Sequence, residues 1–582
     1  MIGTTYLFTK QINENKLGLL IKEPWHELSI AHKTSNSILC YSHYKGYLIE
    51  TWNHLDYIII KEGAIYNISN EEIQNSINAI ADSINKPGQC KQLIREFIFK
   101  ADGEFGISFY NKETQTLLFF NDLLGGLPFY YTCNNGIASL SRSFSYILNQ
   151  LPNKGWNNNN IAEFLSLGYN LRERTLSSLV SKTQPATLLT FDTKNGPTLK
   201  VETIYKDDFK ITNRYESKQE AVNDLVKLFL EGCASRVQYA EKNGYDIVNT
   251  MSGGFDSRTV LGGIEKSNVR YTNLTYEYIQ DESQIAKGVI DTVESKSEYV
   301  KLSFKNTPDL YNVNYVLNTD GRVNVFTNSV CYNDMLEVRK HFGDRNIMYF
   351  GGFGGEYIRH PRYPDFISFD KSFCAQANTF FFTPKICGSK YESIRKNIIN
   401  DFDLDSQSKE VLFKDLYNEY YQNLVRCSGE DRTRMFYYTV QPMMSKDFIL
   451  AIRHRLPLNW TGFTFYGMFL SALDKRLLDV PIYGKPDTFL SKSGLKREDI
   501  RRHWMMSIKN TVRYYLNKYT RYEYRKQNEY IPYERLKPYL KQLSNLSLFN
   551  EQFIDNNYKY FDKTLQYTLL DVVLYITEIE KQ

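Results

Sequence analysis

The stretch that most limits how this chain can fold runs from Tyr245 to Arg258. A β-like run, Tyr245-Asp-Ile-Val-Asn-Thr-Met251, leads through Ser252-Gly253-Gly254-Phe255-Asp256-Ser257 into a helical pattern starting near Arg258. Strand, glycine turn and helix in that order predict one unit of a parallel α/β sheet. Adjacent glycines allow a tight turn whose N–H groups approach an anion, and the helix N-terminus adds partial positive charge. The Ser252 and Ser257 hydroxyls can donate to the same oxygens, while Asp256 offers a hard oxygen to magnesium. No lysine follows the glycines, so this is not the Gly-x-x-x-x-Gly-Lys-Ser/Thr loop. Ser-Gly-Gly alone fits a plain strand-to-helix turn; the addition of Asp256, Ser257 and the upstream strand points to phosphate.

Around this unit the texture changes along the chain. Residues 1–205 hold short β-like runs, among them Tyr57-Ile-Ile-Ile, Glu104-Phe-Gly-Ile-Ser-Phe-Tyr and Thr116-Leu-Leu-Phe-Phe, so this part is predicted to be sheet-rich. Asn160 and Glu163 are spaced as a capping box for one helix there, and Ser217 and Glu220 for another that opens a helix-dominated region. Further strands are expected at Val269–Tyr276 and Asn346–Phe350. Beyond residue 500, Arg, Lys and Tyr interleave on helical patterns, as in Val512-Arg-Tyr-Tyr-Leu-Asn-Lys-Tyr. Amphipathic helices with Tyr packed inward are preferred there to an RNA-binding surface.

Composition narrows the function classes. With 71 Lys and Arg against 66 Asp and Glu, the surplus of +5 is too thin to argue a nucleic-acid or anionic-membrane partner; a small-molecule or peptide partner is expected. The 582 residues suggest three or four domain-sized units, and a mean hydropathy of −0.45 with no long apolar run excludes a membrane helix. The eight cysteines, at 40, 90, 133, 233, 331, 374, 387 and 427, form no zinc pattern. Reduced thiols in the cytoplasm are the expectation.

Several segments then carry a resemblance. Ser252-Gly-Gly-Phe-Asp-Ser257 resembles the pyrophosphate loop of the ATP pyrophosphatase (PP-loop) superfamily. Thr275–Ala286, with Asp281-Glu282, and Gly351-Gly352-Phe353-Gly354-Gly355-Glu356 resemble the corresponding segments of asparagine synthetases. Upstream, Glu62-Gly-Ala-Ile-Tyr-Asn67, Asp102-Gly-Glu-Phe-Gly-Ile107 and Asn121–Tyr131 resemble signatures of that family's glutaminase domain. The resemblance implies an α/β and α+β architecture. An Ntn-hydrolase-like β-sandwich would span 1–205, and an α/β ATP-pyrophosphatase domain wrapped in helices 206–500. A C-terminal helical extension would span 501–582.

It further implies an AMP-forming carbon–nitrogen ligase: ATP binds at Ser252, Gly253, Gly254, Asp256, Ser257, Gly352, Gly354 and Gly355; Asp256 and Glu356 hold Mg2+; a carboxylate is activated as an acyl-adenylate and an amine displaces AMP. Glu356 stands where the family has Asp. Lys485, in Tyr483-Gly-Lys-Pro, is the candidate for the family's catalytic lysine, with Lys492 and Lys496 as competitors. Phe353 stands where asparagine synthetases have a glutamate acid/base, and Phe cannot take a proton. Glu277, Asp281 and Glu282 are the alternative bases.

The glutaminase half departs from the family further. Residue 2 is Ile, not the nucleophilic Cys, and Glu62 replaces an oxyanion-site Asn. Cys40 would serve only after removal of a prosegment. A sandwich without glutaminase activity is therefore expected. Three readings stay open: an amide ligase using an external amine, an intramolecular lactam or macrolactam synthetase, and a catalytically inactive nucleotide-binding scaffold. A homodimer is left open, and the sequence does not name the carboxylate or amine.

Overall fold

The computed structural model describes residues 1–277, 281–303, 313–320, 325–359, 378–389, 397, 400–402, 408–420, 430–482, 484–520 and 526–582. Residues 1–203 contribute the strands β1 (Gly3–Phe8), β2 (Glu27–Lys33), β3 (Ser37–His43), β4 (Ile49–His54), β5 (Tyr57–Ile65), β6 (Gly103–Asn111), β7 (Thr116–Asn121), β8 (Tyr130–Asn134), β9 (Ile137–Ser141), β10 (Ser181–Lys182), β11 (Thr187–Asp192) and β12 (Thr198–Thr203). They form two antiparallel six-stranded sheets, ordered β10-β8-β9-β1-β3-β2 and β12-β11-β7-β6-β5-β4.

The period-2 alternation of β5 shows why these strands read as continuous apolar runs. Ile58 and Ile60 point into the core between the sheets, where they join Tyr110, Phe119, Leu189 and Phe191 of their own sheet and Tyr6, Leu39 and Leu140 of the other. Ile59 points the opposite way, with Phe105, Ile107 and Phe120, onto helices α1 (Asn70–Ser83) and α2 (Pro87–Lys100). A strand covered on both faces has no polar side to show. The outer face of the first sheet, through Leu7, Ile38 and Ile137, packs on α3 (Phe144–Gln150) and α4 (Asn158–Leu167). The C-terminal helix Lys563–Lys581 joins the same core with Leu569, Leu570 and Val573. The N-terminal region is thus a helix–sheet–sheet–helix sandwich, and the last helix of the chain helps close it.

The expected capping of α4 is corrected. Asn157, not Asn160, caps it, accepting from the N–H groups of Asn159 and Asn160. Glu163 is buried and accepts instead from the Leu171 N–H and the Arg174 guanidinium. A buried carboxylate with a cation in reach goes to the cation rather than to the helix end.

After α5 (Lys218–Lys242), capped by Ser217 as expected, comes a parallel sheet. β13 (Asp246–Thr250) is followed by α6 (Phe255–Glu265), β14 (Thr272–Glu277), α7 (Ser283–Thr292) and β15 (Glu298–Ser303). β16 (Ile347–Phe350) and β17 (Tyr438–Val440) complete the order β15-β14-β13-β16-β17. Part of the expected segment Thr275–Ala286, residues 278–280, lies outside the described residues, as do Tyr483, Cys374 and Cys427. Helices Lys446–His454 and Phe463–Asp474 cover α5 and α6 through Phe448, Ile449, Phe469 and Leu470.

In the long helix Lys492–Tyr519 the side chains of Tyr514 and Tyr519, two of the tyrosines expected to pack inward, lie outside the described residues. Leu495 is buried, yet Ile500, Trp504, Ile508, Val512 and Tyr515 are exposed. Its start is pinned by Asp499, which accepts from the Phe463 and Thr464 N–H groups. An apolar period fixes which residues share a face, not whether another element covers it.

Candidate functional site

In an open parallel sheet, ligands bind where the strand order reverses, outside the carboxyl ends of the strands. Here β13 pairs with β14 on one side and β16 on the other. The loops after β13 and β16 therefore flank the reversal point, and they are the segments Ser252–Gly254 and Gly351–Gly355.

The two loops touch through glycine. A Cβ on Gly352 would lie 2.9 Å from the Asp256 carbonyl carbon and 3.0 Å from the Ser257 nitrogen. A Cβ on Gly355 would lie 2.1 Å from Asp256 Oδ1 and 2.6 Å from the Tyr466 hydroxyl. Gly354 has φ +111°, a region L side chains rarely adopt. Any side chain at Gly352 or Gly355 would collide with the first turn of α6 or with the Asp256 carboxylate.

Within the first loop the Ser252 and Ser257 hydroxyls lie 3.0 Å apart, and Ser252 Oγ accepts from the Gly254 N–H at 3.2 Å. The Gly253 N–H donates to Glu282 Oε2 at 2.9 Å, so a carboxylate already lies against this glycine turn. Arg258, one turn into α6, fastens the loop from below. Its guanidinium donates to the carbonyls of Gly253, Leu477, Val480 and Pro481 at 2.6–3.0 Å.

Asp256 is the electrostatic centre. Its Oδ1 accepts from the Tyr466 hydroxyl at 3.0 Å, and its Oδ2 faces Arg359 Nη2 at 3.2 Å. The same Arg359 nitrogen lies 3.3 Å from Glu356 Oε1, and the Tyr417 hydroxyl donates to Glu356 Oε2 at 3.2 Å. One guanidinium thus bridges the two carboxylates. Burial raises the Asp256 pKa; Arg359 opposes that shift and Glu356 reinforces it. Burial also holds Tyr466 well above the ordinary phenol value, which keeps it a donor. Two carboxylates beside a glycine turn and a helix N-terminus form a donor set that suits a hard divalent cation with phosphate.

The remaining expected residues divide. Phe353 is 44 % exposed, and its N–H donates to Gln441 Oε1. Glu277 and Asp281 both pair with Lys301 at 3.0 Å at an exposed edge. Asp281 is drawn down to about 2, first by the Ser283 hydroxyl and N–H and then by Lys301, which leaves it a poor base. Lys485 lies 4.0 Å from Glu498 Oε1 and over the Phe489 ring, while Glu498 also binds Arg501 and Arg502. Phe489 in turn packs on Phe255 of α6. Lys485 is thus connected to the loop through rings rather than through charge. Tyr417 also lines a small hollow, partly open to solvent, with Tyr357, Phe413, Ile452, Leu456 and Leu458.

Sequence reasoning missed Arg359, Tyr466, Tyr417 and Arg258. Arg359 had a signal: it sits three residues after Glu356, the helical spacing at which unlike charges meet. Tyr466 had none, because it reaches Asp256 from 210 residues away.

In the N-terminal sandwich, Glu62 is fully buried and ion-paired with Arg142 at 3.0 Å. It also accepts from the Tyr47 hydroxyl at 2.5 Å and the Thr4 N–H at 2.7 Å. Arg142 continues to Asp431, beside Arg434. The Met1 amine pairs with buried Asp320, and Ile2 is in the core. Cys40 lies on β3 opposite Thr5, and burial pushes its thiol up to about 12. Such a thiol is a poor nucleophile.

No curated protein matches the sequence. Among solved structures it is similar to a glutamine phosphoribosylpyrophosphate amidotransferase from B. subtilis complexed with ADP and GMP. The identity is 12 %, over 62 % of this chain and 83 % of that one, with a TM-score of 0.23. It is also similar to a chain described as the allosteric regulatory enzyme of purine biosynthesis, at 9 % identity over 52 % and 74 % of the two chains and a TM-score of 0.21. With scores this low, neither bears on the reading of the site. Residues 51–201, which lie within the two-sheet region, match the family model of the glutamine amidotransferase domain.

Proposed function

We propose that this protein is an ATP-dependent, AMP-forming amide ligase of the asparagine-synthetase type whose amidotransferase-like domain does not hydrolyse glutamine. The observation that carries the reading is the convergence of Asp256, Glu356 and the Ser252–Ser257 turn at the reversal point of a parallel sheet, with Gly352 and Gly355 letting the second loop approach Asp256 at a helix N-terminus. That arrangement suits the triphosphate of ATP. The turn N–H groups and the Ser252 and Ser257 hydroxyls would hold phosphate oxygens, and Asp256 and Glu356 would hold magnesium. The metal would neutralise charge that develops on the departing pyrophosphate. The carboxylate substrate, aligned on the α-phosphate, becomes an acyl-adenylate, and an amine then displaces AMP. Tyr466 would fix the orientation of the Asp256 carboxylate. Phe353 takes no proton, so the amine must arrive deprotonated or lose its proton to another group.

The claim of a silent amidotransferase domain rests on Glu62. A buried, ion-paired carboxylate stands where an oxyanion would need donors. The deciding measurement is exchange of labelled pyrophosphate into ATP with pooled carboxylic and amino acids. Wild type should exchange and Asp256→Ala should not, while both keep the same circular dichroism. Absence of exchange with every pool would sink the ligase reading in favour of a nucleotide-binding scaffold. Release of glutamate from glutamine would refute the silent domain.

A further inference from the structure

The two halves of the proposed site are already neutralised by the protein's own charges. Glu282 presents a carboxylate oxygen to the Gly253 N–H at 2.9 Å, where a phosphate oxygen would be held. Arg359 presents one guanidinium nitrogen to both Asp256 at 3.2 Å and Glu356 at 3.3 Å, where a cation would be held. We infer that Glu282 and Arg359 are internal competitors for the phosphate and metal positions, so that nucleotide and divalent metal bind strongly only together. The inference rests on the ligase reading above and adds a regulation of the same site.

The physical argument follows from the contacts. A divalent cation on Asp256 and Glu356 takes the oxygens that Arg359 now holds, and the two positive groups repel at that range. Metal alone must therefore break both ion pairs and strand a guanidinium only 23 % exposed. A phosphate on the Gly253 turn must likewise displace Glu282, whose charge it repels. When both ligands arrive, the freed guanidinium gains a phosphate partner that matches its planar fork. Each ligand removes the unfavourable step of the other, and the coupling is the same from either side. Arg359 can reach either partner because its place three residues after Glu356 puts both on one turn. Its phosphate contact would also supply the positive charge that the resemblance assigns to Lys485, which pairs with Glu498 instead.

The experiment uses the full chain and three probes: Mn2+ alone by electron paramagnetic resonance, a fluorescent ATP analogue alone, and the two together. Wild type is expected to bind Mn2+ alone weakly and to gain affinity for it of about tenfold or more when the analogue is added. Arg359→Ala should bind Mn2+ alone roughly tenfold more tightly than wild type and lose most of the coupling; Arg359→Lys, which keeps the charge, should stay near wild type. Glu282→Gln should bind the metal-free analogue more tightly. Unchanged Mn2+ affinity in Arg359→Ala, with coupled binding intact in wild type, overturns this inference and leaves the ligase reading standing. If wild type binds no analogue even with Mn2+, both fall.

Discussion

Arg142→Met should be among the most destabilising single substitutions in the N-terminal sandwich. The guanidinium is 1 % exposed and sits between two fully buried carboxylates, Glu62 and Asp431. Breaking a buried pair by removing one partner costs about 3–5 kcal/mol, because the charge left behind keeps its desolvation penalty. Here the loss belongs at the lower end. Glu62 keeps the Tyr47 hydroxyl and the Thr4 N–H, and Asp431 keeps Arg434 at 3.7 Å. At about 2–4 °C per kcal/mol for a unit of this size, calorimetric melting should fall by roughly 6–16 °C. Glu62→Gln combined with Arg142→Met removes both charges of the pair, so the double variant should melt higher than Arg142→Met alone. A coupling of about 1 kcal/mol or more is expected between residues in one ion network. An Arg142→Met protein melting within about 2 °C of wild type, or strictly additive effects, would refute the reasoning and remove the ion pair as the reason Glu62 is tolerated.

Three further outcomes follow from single contacts. Gly355→Ala puts a methyl 2.1 Å from Asp256 Oδ1, so pyrophosphate exchange should vanish while circular dichroism is unchanged; retained exchange would mean that Asp256 is not needed where it stands. Arg258→Lys cannot serve four carbonyls at once and should cost roughly 2–4 kcal/mol, seen as faster amide hydrogen exchange at Ser252–Ser257 and Leu477–Leu478. His26 gives a pH dependence. Its Nδ1 accepts from the Lys22 and Glu23 N–H groups while Nε2 faces the Met435 carbonyl at 2.8 Å. Burial first of all lowers its pKa to about 4. The unfolded chain takes up that proton from about pH 6.5 downward and the folded chain only near 4, so stability is full above 6.5 and falls by roughly 3 kcal/mol across that window. His26→Asn should flatten that part of the melting-versus-pH curve; an unchanged curve would contradict the assignment.

The sequence was most legible where chemistry and local backbone coincide. The strand–Ser-Gly-Gly–helix unit, the strand at Ile347–Phe350 and the Ser217 cap are local statements, and the parallel sheet follows from them. Runs such as Tyr57-Ile-Ile-Ile were readable as strands, but not as strands buried on both faces, since that depends on α1 and α2 packing from outside. The illegible part of the site is long-range. Tyr466 meets Asp256, Arg142 meets Asp431, and the last helix, Lys563–Lys581, packs on α3 and α4 in the core that Leu7 and Ile38 share. No periodicity encodes such meetings. The stripe Ile500, Trp504, Ile508, Val512 and Tyr515 makes the same point in reverse, because a clear apolar pattern there is exposed among the described residues.

The departures from the asparagine-synthetase pattern gain meaning when they are taken together. In the sandwich, Glu62 is fully buried and paired with Arg142. In the parallel-sheet region, the contacts around Asp256 are held differently. Ser252, Asp256, Ser257 and the close-approach glycines Gly352 and Gly355 are of the types that the proposed phosphate and metal site calls for. The ion pairs of Arg359 with Asp256 and Glu356, and the hydrogen bond that Glu282 accepts from the Gly253 N–H, place charged groups rather than apolar ones at these positions. A region drifting toward a purely structural role gains most by packing apolar groups into such a space, because a buried ion pair is weak evidence of stabilisation. Charged groups that a charged ligand can displace suit the proposed polyanion site at Asp256, whereas Glu62 is closed in by Arg142, the Tyr47 hydroxyl and the Thr4 N–H.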